Sequence, residues 1–166
     1  CIILQGDATR DQVLEDVKIR SASSMIVSAG RDDTSVLITL TARHLAPNLK
    51  ISTVVKAEDN ELPARAAGAT TVINPVSFAG LLLANSCKSQ HIADYMMDLA
   101  SIDGPVALTE RAVTPAEVGR SLASLTTGIG LRIFRDDQAF GFFTDEANAL
   151  RPGDTIVEVV RTGGKR

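Results

Sequence analysis

The sequence predicts an α/β fold in which a parallel sheet is followed by a smaller lobe that mixes helix and strand. In the first half, short runs rich in β-branched residues alternate with stretches of helical periodicity. Such alternation is typical of a parallel sheet with crossover helices. The four runs are Ile2–Leu4, Met25–Val27, Ile51–Val55 and Val72–Ile73. After Asp103-Gly104-Pro105 the pattern changes, which predicts a separate, small α+β unit.

Capping signals indicate where the first helices begin. Thr9 and Gln12 have the spacing of a capping box, in which each side chain bonds a free backbone N–H of the first turn. Asp32 or Asp33 suits the start of a second helix, whose apolar residues recur at helical spacing until Pro47.

Three more helices are predicted before the change of pattern. Asn60 begins the first of them, and Gly68 ends it. Asn74-Pro75 then supplies an N-cap followed by proline at the first helical position. The two helices that follow are predicted over Val76–Lys88 and His91–Leu99.

The second half combines strand-like runs with turn signals. Thr114-Pro115 has the composition of a helix start, and Arg151–Asp154 has the Pro-Gly order of a type II turn. The predicted strands are Val106–Arg111, Leu131–Phe134, Phe140–Phe143 and Thr155–Val160.

The first predicted strand and its exit turn indicate what the sheet binds. Ile2–Leu4 is predicted to be a buried strand, and Gly6–Thr9 its exit turn. Open parallel sheets bind ligands at the carboxyl ends of their strands, and dinucleotide folds begin with a Gly-x-Gly-x-x-Gly turn. No such turn precedes Ile2–Leu4. We therefore expect a partial Rossmann-like sheet that is the later part of a longer polypeptide.

Composition excludes several classes of partner. The chain has 166 residues, a net charge of −3 and a pI near 5.4, and it lacks the basic stripe that nucleic-acid binding requires. No apolar stretch approaches the roughly 20 residues of a membrane-spanning helix, so no direct membrane insertion is expected. Two cysteines in 166 residues favour a reducing cytosol over a disulfide framework.

Several motifs in order resemble the regulator-of-potassium-conductance (RCK) family, which includes TrkA-type domains. The resemblance covers nearly the whole chain. In the first half it rests on Gly6–Thr9, Thr39–Arg43, Ala67–Ala69, Val72–Pro75 and Ala79-Gly80. In the second half it rests on Val118–Leu122, Leu131–Ile133 and Arg151–Val157. The stretch His91–Ser101 is most similar to bacterial members that are fused to a potassium-channel pore.

The resemblance implies a cytoplasmic gating domain that is tethered to the membrane through a channel pore in the same or another chain. It divides the chain into a partial RCK-N lobe (1–75), interlobe helices (76–102) and an RCK-C lobe (103–166). Such domains form homodimers or larger rings through the interlobe helices, so Phe78, Leu81, Leu82 and Met96 are expected at a dimer interface. From periodicity alone, these residues fit an ordinary intrachain core equally well.

The resemblance also implies a ligand site at the strand exits. Asp7, Ala8, Thr9, Ser28 and Ala29 hold the positions that flank the adenine side of the nucleotide in nucleotide-binding members, so NAD(H), ATP or ADP are the candidate ligands. No metal is expected, because the positions that carry carboxylates in calcium-gated members are Ser28, Val54 and Lys56. A different divalent site stays open, built from acidic residues that also suit caps or solvated loops. These residues are Asp7, Asp32, Asp33, Glu58 and Asp59.

Other functions are less well supported by the residues. Cys87 and His91 could share a helix face, but two ligands do not complete a zinc site. Nothing pairs a nucleophile with a base, so no enzyme is expected. Two alternatives remain: a regulatory subunit of a potassium uptake or efflux transporter, and, more distantly, a fragment of an NAD-dependent oxidoreductase.

Overall fold

The protein is described from a computed structural model, which describes residues 2–87, 89–101, 104–136 and 138–162. The chain divides into two compact units, Cys1–Ala84 and Asn85–Arg166. Each unit is described by itself. The three-part organisation with boundaries at residues 75 and 102 stays a prediction. Within the described residues, no helix is both long and apolar enough to cross a bilayer.

The first unit contains a parallel sheet of three strands in the order β1-β2-β3. Sequential order within a parallel sheet requires a crossover between each pair of strands, and helices α2 and α3 supply these crossovers. The helices are α1 (Asp11–Asp16), α2 (Asp32–Leu45), α3 (Glu61–Ala66) and α4 (Pro75–Ser86). The strands are β1 (Ser24–Val27), β2 (Lys50–Val54) and β3 (Thr71–Ile73).

Helix α2 lies at the centre of this unit and packs against α1, β1 and β2. Its buried face meets an apolar cluster drawn from the neighbouring elements. That cluster comprises Leu14, Ile19, Val27, Ile38, Ala42, Leu45, Ala46, Leu49 and Ile51. Arg43, near the end of α2, donates to the carbonyls of Gly68 and Pro47 and so fixes the loop before β3. Gly68 has φ +101°, as a helix-ending glycine should.

The predicted strand Ile2–Leu4 is wrong. These residues are not in a strand, and Ile2 and Ile3 are 90% and 91% exposed. A strand is stabilised by backbone hydrogen bonds to a neighbouring strand, and within the described residues β1, β2 and β3 pair with one another. Apolar composition alone therefore does not hold Ile2–Leu4 in the sheet.

The capping expectations had mixed outcomes. Asn74 caps α4, because its Oδ1 accepts from the amides of Val76 and Ser77, each at 3.1 Å. The capping box at α1 is wrong: Thr9 donates its hydroxyl to Asp7, and Gln12 donates to Asp16. Local side-chain partners compete with the helix terminus for the same donors, which is why the box does not form.

Asp32 and Asp33 also depart from the capping expectation. Both lie inside the first turn of α2, where Arg31 is the N-cap residue and makes no side-chain cap. Asn60 likewise stands at the N-cap of α3 without a side-chain cap. Their side chains bond elsewhere, as described for the candidate site below.

The second unit begins with α5 (Gln90–Ala100) and continues with an antiparallel sheet of four strands in the order β4-β7-β5-β6. All strand pairs in this sheet are antiparallel. The strands are β4 (Val106–Ala112), β5 (Ile129–Arg135), β6 (Gln138–Gly141) and β7 (Thr155–Arg161). One face packs on a core of Leu122, Ile133, Ala147, Leu150 and Ile156.

Turn chemistry explains the connections of this unit. The type II turn at Arg151–Asp154 is confirmed: Gly153 has φ +88°, and the Asp154 amide donates to the Arg151 carbonyl at 3.1 Å. The predicted helix start at Thr114 is wrong, because residues 115–119 form turns. Glu117 accepts from the Thr114 amide and hydroxyl, and Gly119 then adopts φ +81°, which ends the turn.

Charged side chains are bonded inside the second unit. Arg111 donates to both oxygens of Glu117 at 2.7 and 2.8 Å and to Glu158 at 2.7 Å. Thr127 donates to the second oxygen of Glu158 at 2.8 Å. Arg135 makes a two-pronged pair with Asp154. Hydrogen bonds from Arg111 lower the pKa of Glu117 to about 2, and those from Arg135 lower the pKa of Asp154.

These pKa values predict acid sensitivity. A carboxylate whose pKa is lowered by folding stabilises the folded state above its unfolded pKa, and this contribution is lost as pH falls through the folded value. Glu117→Gln should therefore lower the free energy of unfolding by about 2–3 kcal/mol at pH 7. The difference from the wild type should shrink as pH falls from about 4.5 to 2. Urea unfolding at a series of pH values measures it, and a difference that stays constant down to pH 2 would contradict it.

Candidate ligand-binding site

Helix α2 connects the two loops that the sequence nominated as a ligand site. The Thr41 hydroxyl shares its proton between the Leu37 carbonyl at 3.0 Å and the Thr9 carbonyl at 3.3 Å, and the Ser35 hydroxyl accepts from the Ala29 amide at 3.3 Å. Ala8 and Ala29 both pack against the apolar cluster beneath α2. The structure thus places the loop Asp7–Thr9 and the loop Ser28-Ala29 on the same helix.

Asp7 is exposed, and two hydrogen bonds from Thr9 hold its carboxylate in place. Its Oδ1 accepts from the Thr9 amide at 3.0 Å and from the Thr9 hydroxyl at 2.7 Å. These bonds lower the pKa of Asp7, so the carboxylate is ionised at neutral pH. The other oxygen, Oδ2, lies 3.6 Å from Arg10 Nε. Since an ionised carboxylate has several lone pairs, Oδ2 can still accept from a ligand donor.

The Asp32 carboxylate, at the start of α2, is hydrogen-bonded to the loop that follows β2. Its carboxylate accepts from the amides of Lys56 and Ala57 and from the side chain of Asn60, at 2.9–3.0 Å. Lys56 Nζ in turn donates to the Gly30 carbonyl at 2.8 Å. The bond from the Ala57 amide is the main reason that the pKa of Asp32 is lowered.

An open cleft of about 510 Å³ lies over this group. Its lining carries two basic and two acidic side chains, of which Arg31 and Asp33 pair at 2.6 Å. That pairing lowers the pKa of Asp33 to about 2. The lining residues are Gly30, Arg31, Asp32, Asp33, Lys56, Ala57 and Asn60.

The cleft and the nominated residues do not coincide. The first loop, Asp7–Thr9, is absent from the lining, and the second loop reaches the cleft only at Gly30, next to Ala29. The joining role of Asp32 was missed by sequence reasoning, which weighed it as a cap or a metal ligand. Its partners lie 24–28 residues away, and no local spacing indicates a bond over that separation.

Metal ligands do not gather at this edge. Within the described residues, no three side chains of His, Cys, Asp or Glu lie close enough to hold one ion. Glu58 and Asp59 are exposed on a 3₁₀ turn, and Asp32 is occupied by N–H donors. Cys87 and His91 are both exposed.

A second cleft, of about 340 Å³, lies beside the segments that precede β1 and β2. Arg20 contributes to it, but its guanidinium is bonded to Glu15 and to the Leu45 carbonyl. Ligands of parallel sheets bind at the opposite, carboxyl ends of the strands. The cleft beside Asp32 is therefore the better candidate.

The nominated dimer interface is largely exposed. Phe78 and Leu81 on α4 are 48% and 64% exposed, while Leu82 on α4 and Met96 on α5 are half-buried. Large apolar side chains exposed together on one helix are a signature of an interaction surface. Val76 and Leu83 add to the exposed apolar surface of α4.

Comparison with known proteins identifies relatives. Residues 1–75 match the TrkA-N domain family. Probable potassium channel protein 2 of Methanocaldococcus jannaschii is 33% identical over 103 residues, which are 61% of this chain and 29% of the relative. A Trk system potassium uptake protein TrkA homolog of Pyrococcus abyssi is 38% identical over 58 residues, 35% of this chain and 25% of the relative. The chain therefore spans less than a third of the length of these relatives.

Solved structures agree with the fold. The GsuK channel bound to NAD superposes with a TM-score of 0.52 at 25% identity, covering 98% of this chain and 29% of that one. The human SLO3 gating ring superposes with a TM-score of 0.73, covering 96% of this chain and 36% of that one. Its identity of 13% shows a shared fold alone.

Asp32→Ala tests the geometry of the cleft. Removing the carboxylate frees the amides of Lys56 and Ala57, so their hydrogen exchange should accelerate by about tenfold, as expected for one lost hydrogen bond each. Hydrogen-exchange mass spectrometry of the 166-residue chain measures this effect. Asp33→Ala is the matched control, because Asp33 bonds only Arg31 and Thr34 and should leave both amides unchanged.

Proposed function

We propose that this chain, whose residues 1–75 match the TrkA-N domain family, is a nucleotide-sensing regulatory module of a potassium channel. It acts on the cytoplasmic side of the membrane and is tethered there through a pore in the same or another polypeptide. The observation that carries the proposal is the attachment of both nominated loops to α2, by Thr41 and by Ser35.

Asp7 suits the adenosine part of a nucleotide, which carries hydrogen-bond donors and no negative charge. An ionised carboxylate accepts hydrogen bonds from an exocyclic amine or a ribose hydroxyl and repels phosphate. The side chains of Ala8, Ser28 and Ala29 are small, which is compatible with a flat ring against this loop. NAD(H), ATP and ADP all present an adenosine with such donors, and the similar GsuK channel has been solved with NAD bound.

The N-terminus of α2 does not suit the phosphates. Helix N-termini bind anions through free N–H groups and a positive dipole. Here Asp32 and Asp33 occupy the first turn and place two negative charges at that end. The phosphates of a bound nucleotide must therefore lie away from α2, which is consistent with the adenosine, and not the phosphate chain, meeting Asp7.

Regulation requires a second element that can change its arrangement. A ligand shifts an equilibrium only by its difference in affinity for the two states. We assign that element to a self-association interface on α4 and α5, formed by Phe78, Leu81, Leu82 and Met96. The exposed apolar surface of α4 supports this assignment. Nucleotide binding would then favour one arrangement of a homodimer or larger ring over another.

A second candidate is a regulatory subunit or domain of a potassium uptake or efflux transporter. The similar protein of Pyrococcus abyssi favours it, since that relative is a Trk system potassium uptake protein TrkA homolog. The membrane partner distinguishes the two. Reconstitution of the full-length protein into vesicles should show nucleotide-dependent potassium flux for a channel, and no flux without an added transporter for a subunit.

A catalytic role is not proposed. The pairs at the candidate edge are Arg31 with Asp33 and Asp32 with backbone and amide N–H groups. These partners hold the carboxylates ionised and leave neither as a proton donor. A fragment of an NAD-dependent oxidoreductase would need an acid or base facing its substrate, and residues 103–166 contain no histidine.

Asp7→Ala should weaken nucleotide binding. The substitution removes one charge-assisted hydrogen bond and the Asp7–Thr9 turn, so affinity should fall by about tenfold or more. Isothermal titration of the full-length protein with NAD, NADH, ATP and ADP measures the effect. Asp16→Ala removes an exposed acid of α1 that accepts only from Gln12 among the described hydrogen bonds and does not line the cleft, so it should bind as the wild type does. Absence of saturable binding by all four nucleotides would contradict the proposal.

Leu82→Asp should weaken self-association. Placing a charge in an apolar interface costs the desolvation of that charge, so the dimer dissociation constant should rise by about 100-fold. Sedimentation equilibrium measures it. Because Leu82 is half-buried, Leu81→Asp, at a more exposed position on α4, is a second variant that spares the fold. Leu62→Asp adds the same charge at an exposed position of α3 and should leave the dimer dissociation constant unchanged. If neither α4 variant raises the dissociation constant, the interface lies elsewhere.

A further inference from the structure

Arg10 follows the Asp7–Thr9 loop and carries an exposed guanidinium. The side chain is 77% exposed, and its Nε lies 3.6 Å from Asp7 Oδ2. That distance is longer than a hydrogen bond, and an ion pair between exposed groups contributes little to stability. Among the described ion pairs and side-chain hydrogen bonds, Arg10 has no other partner. The guanidinium is therefore free to turn towards a ligand.

The backbone of Arg10, in contrast, is fixed. Its amide donates to the Asp7 carbonyl at 3.1 Å, and its carbonyl accepts from the amides of Val13 and Leu14. Arg10 is the N-cap residue of α1 and makes no side-chain cap. Substitution of its side chain should therefore leave the loop and α1 in place.

Asp7 Oδ2 brings the guanidinium within reach of any ligand that this oxygen binds. A donor bonded to Oδ2 lies about 2.9 Å from it. Because Arg10 Nε lies 3.6 Å from the same oxygen, the donor and Nε are no more than about 6.5 Å apart. A guanidinium interacts with an aromatic face up to about 6 Å from the ring centre. The side chain can therefore cover a base whose amine is bonded to Asp7.

Asp7 alone does not specify which amine-bearing base it binds. The 6-amino group of adenine and the 4-amino group of cytosine are both donors, and a carboxylate accepts from either. Guanine and thymine present a carbonyl oxygen at the corresponding position, which a carboxylate repels. Discrimination between adenine and cytosine therefore needs a second group.

The two candidate loops offer no aromatic side chain for a base. Residues 6–10 and 28–31 include no aromatic residue. Each of these segments ends in an arginine, but Arg31 is committed to Asp33 through two hydrogen bonds, at 2.6 and 3.1 Å. Arg10 makes no such pair, which leaves its planar guanidinium for the base.

We propose that Arg10 stacks on the base whose amine Asp7 accepts, and that it makes the site prefer adenine over cytosine. The inference rests on the proposed nucleotide binding and adds its base specificity. An arginine side chain is planar and stacks on aromatic faces, including those of bases. A two-ring purine gives this plane a larger surface than a one-ring pyrimidine does. Arg10 is therefore the residue that distinguishes adenine from cytosine, while Asp7 excludes the bases that carry a carbonyl oxygen.

The ratio of the affinities for ADP and CDP measures this preference. Isothermal titration of the full-length protein should give tighter binding of ADP than of CDP for the wild type. In Arg10→Ala, the ADP affinity should fall about fivefold, the size expected for a guanidinium on an exposed ring, and the CDP affinity by less than about twofold. A merely structural role of Arg10 would lower both affinities equally and leave the ratio unchanged.

Two further substitutions separate the plane of Arg10 from its charge. Arg10→Lys keeps the charge without the plane and should bind as Arg10→Ala does. Arg10→Phe keeps a plane without the charge and should retain the wild-type ratio. Adenosine is the third probe, because it has no phosphate. Stacking predicts the same loss for adenosine as for ADP, whereas a phosphate contact would weaken the binding of ADP alone.

Arg65→Ala is the matched control, since Arg65 is an exposed arginine in the last turn of α3. It should leave all three affinities unchanged, and thermal unfolding by circular dichroism should be similar for all variants. An unchanged ratio in Arg10→Ala or Arg10→Lys, or a loss for ADP that is absent for adenosine, would overturn the role of Arg10 and leave nucleotide binding in place. A wild type that binds neither ADP nor adenosine would overturn both proposals.

Discussion

A line of buried hydroxyl groups between α2 and β2 is the constraint around which the first unit is arranged. Ser35, Thr39 and Thr53 are fully buried. The Thr39 hydroxyl donates to the Ser35 carbonyl at 2.8 Å, so the Thr53 hydroxyl must be the donor in its own 2.8 Å bond with Thr39. Buried hydroxyls without such partners would cost several kcal/mol, which fixes α2 in one register on the sheet. The Ala29 amide bonds the same helix, so the candidate loop takes its position from the core.

Sequence patterns predicted the elements whose stability is local. Asn74 before proline and Gly153 after proline each form the structure that their backbone preferences require, because the bonds close within three residues. Patterns failed where the deciding partner is distant or absent. Ile2–Leu4 has strand composition but is not in a strand, whereas β1, β2 and β3 pair with one another in the described part of the chain. Thr114 begins a single turn because Glu117 is held by Arg111. The candidate edge follows the same rule: parallel pairing brings the exits of β1 and β2 next to each other, whereas the bonds of Asp32 that join them could not be predicted from local spacing.

The two units differ in how their charged side chains are exposed and bonded. In the first unit, Arg31, Asp33 and Lys56 are exposed; Arg31 and Asp33 pair with each other, and Lys56 bonds the Gly30 carbonyl. Such exposed contacts are individually weak and are readily exchanged for a ligand. In the second unit, Arg111 lies between Glu117 and Glu158, and breaking that group would leave a buried carboxylate unpaired. The first arrangement suits a surface that responds to ligands, and the second suits a rigid platform.

The sheet of the second unit is rigid, because the register of β4, β7 and β5 cannot slip without moving Ile133 and Ile156 out of the core. The responsive element that we propose lies on α4. Helix α4 follows directly from β3, and β3 is paired with β2, whose exit loop is bonded to Asp32. A change in the loops around α2 can therefore reach α4 through the bonds of Asp32, the pairing of β2 with β3, and the chain from β3 to α4. The second unit keeps its shape.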